Sequence, residues 1–188
     1  MRKMPVMLSL LVLAAAAALA PQAAAQARTV ILVRHAEKEA EPRNDPPLTA
    51  PGAGRALALA AVLADAGVGS VIVTPTTRTR ATGAPTAAAA GVTVIEVGLA
   101  GGVAAHLNAV AAAVRERPAG ETVLVVGHSN TIPGIVRALG GPAMADLCDP
   151  EYAHLFVLMI PADGPPRLVR ATYGAPDAPD AASCRQVN

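Results

Sequence analysis

Short, β-branched apolar runs alternate along this chain with longer alanine-rich stretches of helical period. The runs at 29–33, 70–73, 92–97 and 122–126 have the length and residue type of strands, and their largely unbroken apolar character suits strands covered on both faces. The segments 50–66, 78–90, 103–117 and 131–139 read as helices. Thr49 is placed to cap the first of these, Pro51 is tolerated in its opening turn, and Gly67 closes it. This alternation predicts an α/β fold: a three-layer sandwich with a mainly parallel central sheet and helices on both faces. After Gly140-Gly141-Pro142 the pattern changes, and the runs 154–160 and 167–173, joined by PADGPP, predict an antiparallel C-terminal strand pair at the sheet edge.

The ends of the chain carry different signals. Arg2 and Lys3 precede an apolar run that gives way to small residues around Ala23, Ala25 and Ala27, the pattern of a secretory signal peptide over 1–27. The run is too short for a bilayer span of about 20 residues and ends in Pro21 and Gln22, so cleavage before Gln26 or Arg28 is expected, with no stable membrane anchor. The chain is then expected to be exported, periplasmic or secreted. One domain over 28–174 follows, and the Ala-, Pro- and Asp-rich tail 175–188 is expected to be irregular.

Composition narrows the options. With one Phe, two Tyr and no Trp, the core must be built from Val, Leu, Ile and Ala. Removing Arg2 and Lys3 takes Lys and Arg from 15 to 13 against 14 acidic residues, and a chain without a basic excess is not expected to bind nucleic acid. Cys148 and Cys184, in an exported chain, predict a disulfide, the alternative being two unlinked thiols. No metal site is expected, because there is neither a CxxC nor an HExxH and the four histidines are scattered.

The chemistry lies at the strand ends. TVILV runs into Arg34-His35, SVIVT into Pro75 and Arg78, and TVLVV into Gly127-His128-Ser129-Asn130. The carboxyl ends of parallel strands share one edge, where ligands bind, so Arg34, His35, Arg78 and His128 can converge. Two guanidinium groups and two imidazoles make an oxyanion site, since Arg presents planar, bidentate donors matched to phosphoryl oxygens. A neutral imidazole nitrogen can then attack phosphorus, and the resulting phosphohistidine hydrolyses readily.

These motifs resemble those of the histidine phosphatase superfamily, the phosphoglycerate-mutase-like fold. Arg34-His35-Ala36 is similar to the family's Arg-His-Gly signature, and Leu48-Thr49-x-x-Gly52-x-x-Arg55-Ala56 to the stretch that follows it. Thr74-Pro75-Thr76-Thr77-Arg78 resembles the element supplying a second phosphate-binding Arg, and Gly127-His128 resembles the late Gly-His element. The resemblance implies that His35 is the nucleophile, that Arg34 and Arg78 grip the phosphoryl oxygens and that His128 stabilises the transition state. Asn130, Ser129 and Thr82 are further candidates for substrate contact. No cofactor is implied, and the expected partner is a small phosphorylated substrate or a phosphate group of the envelope.

Two departures from the family pattern matter. Ala36 replaces the usual Gly, which is expected either to leave the backbone in an ordinary region or to require space for a methyl. The general acid supplied in many relatives by a Glu after the third strand, or by an Asp after the late His, has no counterpart: 98–105 holds no carboxylate, and Ser129 follows His128. Glu96, Glu37 and His106 are the candidates. The sequence therefore supports a metal-independent phosphatase working through a phosphohistidine on His35. The alternative is a catalytically weak or inactive anion-binding module of the same fold.

Overall fold

The computed structural model describes residues 27–178. The expected leader, most of the tail expected to be irregular and the expected pairing partner Cys184 lie outside the described residues. Ten elements follow one another: β1 (Arg28–Arg34), α1 (Ala50–Val62), β2 (Val68–Val73), α2 (Thr77–Ala90), β3 (Val94–Glu96), α3 (Gly102–Arg115), β4 (Thr122–Gly127), α4 (Ile132–Ala138), β5 (His154–Ile160) and β6 (Arg167–Thr172). They build one six-stranded sheet in the order β3-β2-β4-β1-β5-β6. The first four strands of that order are parallel, while β5 runs antiparallel to β1 and β6 antiparallel to β5. This is the expected mainly parallel sheet with an antiparallel C-terminal pair at its edge.

The apolar strands are continuous because both faces of the sheet are covered. Val30 and Leu32 of β1, with Val123 and Val125 of β4, pack on one side against Val110 and Val114 of α3 and Ile132 and Ile135 of α4. Ile31, Val33, Leu124 and Val126 point to the opposite side, onto Leu59 of α1 and Ala87 of α2. Each fully buried Val, Leu or Ile contributes about 1.5–3 kcal/mol of transfer free energy, so the two-sided centre of the sheet dominates stability. Alanine-rich helices allow close approach. A methyl on Gly83 of α2 would sit 3.0 and 3.1 Å from side-chain carbons of Val71 and Val73, which shows how tightly α2 rides on β2.

Several boundaries differ from the sequence reading for identifiable reasons. The first helix stops at Val62 rather than 66, because the chain tightens there to an i→i−3 bond (Ala64 N–H to Ala61 carbonyl), and Gly67 turns with φ +62. The strand expected at 92–97 shrinks to Val94–Glu96, since the Val92 N–H goes back to the Ala87 carbonyl to finish α2, whose cap Gly91 is left-handed. β2 starts two residues early, at Val68, with a register irregularity between Val68 and Ser70. Thr49 caps α1 as expected, its hydroxyl accepting from Gly52 N–H at 3.1 Å.

Gly52 shows how α1 is locked to the segment after β1. Thr49 N–H donates to the Glu37 carbonyl at 3.0 Å, and a Cβ on Gly52 would collide with that same carbonyl oxygen. Gly54, two residues on, has open space around it. Gly52→Ala is therefore expected to destabilise the protein by about 1–3 kcal/mol in urea unfolding through this overpacking. Gly54→Ala should instead stabilise it by up to about 1 kcal/mol, through helix propensity.

Candidate active site

The sheet brings the site together through one register. Arg34 at the end of β1 is level with Gly127 at the end of β4, and the His35 N–H donates to the Gly127 carbonyl at 2.9 Å. The residues that follow these two strand ends are therefore neighbours: the His35 and His128 rings stand edge-to-face with centroids 5.4 Å apart. On the other side of β4, Val73 is level with Val126, which puts Thr74 beside His128. The first turn of α2 then delivers Arg78, whose Nη2 is 3.4 Å from His128 Nδ1.

Hydrogen bonding selects the tautomers. His35 Nδ1 lies 2.8 Å from the Ala36 carbonyl, which can only accept, so Nδ1 carries the hydrogen and Nε2 presents a lone pair. Arg78 can only donate, so His128 Nδ1 is the acceptor and Nε2–H donates to the Thr74 hydroxyl at 3.1 Å. Burial pushes the His35 pKa down from 6.5 to about 3, with the positive charges of Arg34, His128 and Arg78 acting in the same direction against the Ala36 hydrogen bond. Burial, followed by Arg78, lowers His128 to about 4. Both rings are neutral at physiological pH, the state in which a ring nitrogen can act as a nucleophile.

Ala36 proves compatible with the turn. No residue other than glycine has positive φ among the described residues, and Ala36 is completely buried, so its methyl is accommodated on ordinary backbone. Its N–H donates to the Thr82 hydroxyl at 2.9 Å, and that hydroxyl donates in turn to the Arg78 carbonyl at 2.7 Å. Thr82, expected to touch substrate, is instead fully buried and ties the His35 turn to the helix that carries Arg78.

The two arginines are held differently. Arg78 stays partly exposed, with Asp45 at 3.5 Å from its Nη1 countering the effect of burial on its charge. Asp45 also accepts from Thr77 N–H at the start of α2, at 3.0 Å. Arg34 is buried and turned toward the segment after α4. Its Nη1 donates to the carbonyls of Cys148, Asp149 and Glu151, and its Nη2 to Asp149 Oδ1 at 3.0 Å. The Tyr152 ring covers its guanidinium at 4.2 Å. The Nε–H groups of Arg34 and Arg78 are both buried, with no partner among the described residues.

The remaining candidates are placed elsewhere. Both Glu37 oxygens accept from Arg55, at 2.7–3.0 Å, and although burial works in the opposite direction these bonds hold the carboxyl below its usual range. Glu96 ends β3 on the surface, where two bonds from Arg80 lower its pKa. A general acid must arrive protonated, which neither carboxyl does. His106 is 1% exposed and donates Nδ1–H to the Gly98 carbonyl at 2.9 Å, inside the fold. Asn130 is exposed at the turn after His128, and the Ser129 carbonyl accepts from Leu147 N–H at 3.1 Å. Cys148 is not a free thiol.

Sequence reasoning overlooked Thr74, Asp45, Asp149 and Tyr152. Thr74 stood inside a quoted motif, immediately after a strand. The other three lie in loops without a periodic signal.

The model of the histidine phosphatase superfamily (branch 1) matches residues 30–98, the stretch that holds Arg34, His35 and Arg78. Over that stretch the chain is similar to the histidine phosphatase superfamily. Solved structures share the fold. A putative phosphohistidine phosphatase SixA from Nakamurella multipartitia is 28% identical, with a TM-score of 0.55 over 79% of this chain and 98% of that one. The protein histidine phosphatase SixA in complex with tungstate shares the fold at 17% identity and TM-score 0.61, over 77% and 96% of the two chains. A mycobacterial glucosyl-3-phosphoglycerate phosphatase does so at 17% and 0.54, over 80% and 100%. No curated protein matches. The family-model match, together with the 28% identical SixA-like neighbour, supports a phosphatase.

Two outcomes follow from the site as built. The unfolded chain binds protons on histidine below about 6.5, where folded His35 and His128 do not, so stability present above that pH is lost as pH falls toward 4 and then 3. The melting temperature should fall across this window, and the ring resonances of both histidines should not titrate between pH 7 and 5. In the second, Glu96→Gln should leave kcat within about twofold, since an exposed ion pair contributes little. Glu37→Gln should lower stability by about 1–3 kcal/mol in urea, by leaving part of the buried Arg55 fork unpaired.

Proposed function

We propose that the protein is a phosphatase that forms a phosphohistidine on His35 and needs no metal. The observation that carries this reading is the His35 ring itself: neutral, fixed by Ala36 so that Nε2 is bare, and flanked by two guanidinium groups. Nε2 would attack phosphorus in line, forming an N–P bond as the P–O bond to the leaving group breaks and its electron pair moves to that oxygen. Water would then attack the phosphohistidine, releasing phosphate and restoring the ring. Arg34 and Arg78 would answer the charge on the phosphoryl oxygens, with His128 holding Arg78 in place through its Nδ1. The Nε–H groups of both arginines are buried without an acceptor among the described residues, and each such donor costs about 1–3 kcal/mol that an oxyanion reaching it would offset.

The expected leader places this activity outside the cytoplasm, on a small phosphorylated compound or an envelope phosphate group. A second reading, a binding module without turnover, is favoured by one observation: Glu37, Glu96 and His106 are all engaged elsewhere. Purified protein should release phosphate from 4-nitrophenyl phosphate and acetyl phosphate with chelator present, and His35→Ala should abolish it. Acid quenching should trap an acid-labile phosphoenzyme in the wild type only. Vanadate binding without any turnover would establish the binding module instead.

A further inference from the structure

With the three sequence-based acid candidates occupied, Tyr152 brings a phenolic hydroxyl to the side of His35. Tyr152 sits on the segment between α4 and β5, its ring 6.2 Å from the His35 ring at 55° and 4.2 Å from the Arg34 guanidinium. It is held from both sides. Its N–H donates to Asp177 Oδ1 at 2.7 Å, and the segment that bears it is pinned by the carbonyl bonds to Arg34 Nη1. The Tyr152 oxygen accepts a long contact of 3.5 Å from Arg34 Nη2. An arginine nitrogen only donates, so the phenolic hydrogen is not consumed by this contact, and the described residues offer it no acceptor.

We propose that the Tyr152 hydroxyl is the catalytic hydrogen-bond and proton donor to the leaving oxygen, which extends the substrate class to alkyl phosphomonoesters. This rests on the phosphatase reading above. As His35 Nε2 bonds to phosphorus, the P–O electron pair passes to the leaving oxygen, which takes the phenolic proton and departs as an alcohol. The tyrosinate left behind faces Arg34 Nη2, which stabilises its charge. In the second half-reaction the tyrosinate recovers a proton from the attacking water, whose oxygen ends on phosphate. Burial raises the phenol above its usual pKa, so it is protonated at neutral pH, yet it remains a far stronger acid than an alcohol and can protonate a departing alkoxide.

The dependence on leaving group tests this. Tyr152→Phe keeps the ring over Arg34 and removes only the hydroxyl. The variant should lose about a hundredfold in kcat/KM on glycerol phosphate, in the range of general acid catalysis, and change less than about threefold on 4-nitrophenyl phosphate, whose leaving group needs no proton. The plot of log kcat/KM against leaving-group pKa should steepen accordingly. Equal losses on both substrates, or no loss on glycerol phosphate, would overturn the role of Tyr152 while leaving His35-dependent turnover intact. Wild-type protein with no His35-dependent turnover on any substrate would overturn both readings. Unchanged circular dichroism in Tyr152→Phe would show that the fold is preserved.

Discussion

Everything at the candidate site depends on the parallel pairing of β1 with β4. Arg34 level with Gly127, and the His35 N–H bonded to the Gly127 carbonyl, set two imidazoles edge to face from segments nearly a hundred residues apart. A slip of one residue would send every side chain of β1 to the opposite face. The register is secured because both faces are buried: Val30 and Leu32 belong to one core, Ile31 and Val33 to the other. The apolar interior thus acts on function directly, by deciding which way His35 faces.

Around that pair the protein manages charge by burial. Removing imidazoles from water in the company of guanidinium groups keeps both rings neutral, and a carbonyl chooses which nitrogen of His35 stays bare. The acidic residues serve the cations: Glu37 holds Arg55, Asp45 holds Arg78, Glu96 holds Arg80, and Asp149 meets Arg34. Carboxylates engaged in this way anchor loops and helices and are unavailable as acids. The two Glu residues that sequence inspection singled out as acids are both members of such pairs.

Arg34 joins the early motif to the late part of the chain. Its Nη1 gathers three backbone carbonyls of the segment after α4, so the order of that segment and the position of a site cation are one property. The same contacts set Tyr152 beside His35. In a fold whose core lacks Trp and has a single Phe, this tyrosine is an uncommon large, rigid group, and it stands at the site rather than in the core.

The sequence by itself determined the class of fold, the alternation of strand and helix, and the clustering of Arg34, His35, Arg78 and His128. These follow from periodicity and from the rule that parallel strands end at a common edge, both of which are local or general. Element ends such as 62 for 66, or 94 for 92, depended on individual cap bonds that periodicity does not encode. Only the tertiary structure decided the partners of Glu37, Glu96, His106 and Thr82, and revealed Thr74, Asp45, Asp149 and Tyr152 at the site. Their roles come from distances between segments remote in the chain, and a side chain's protonation and reach are properties of its neighbours in space, not of its neighbours in sequence.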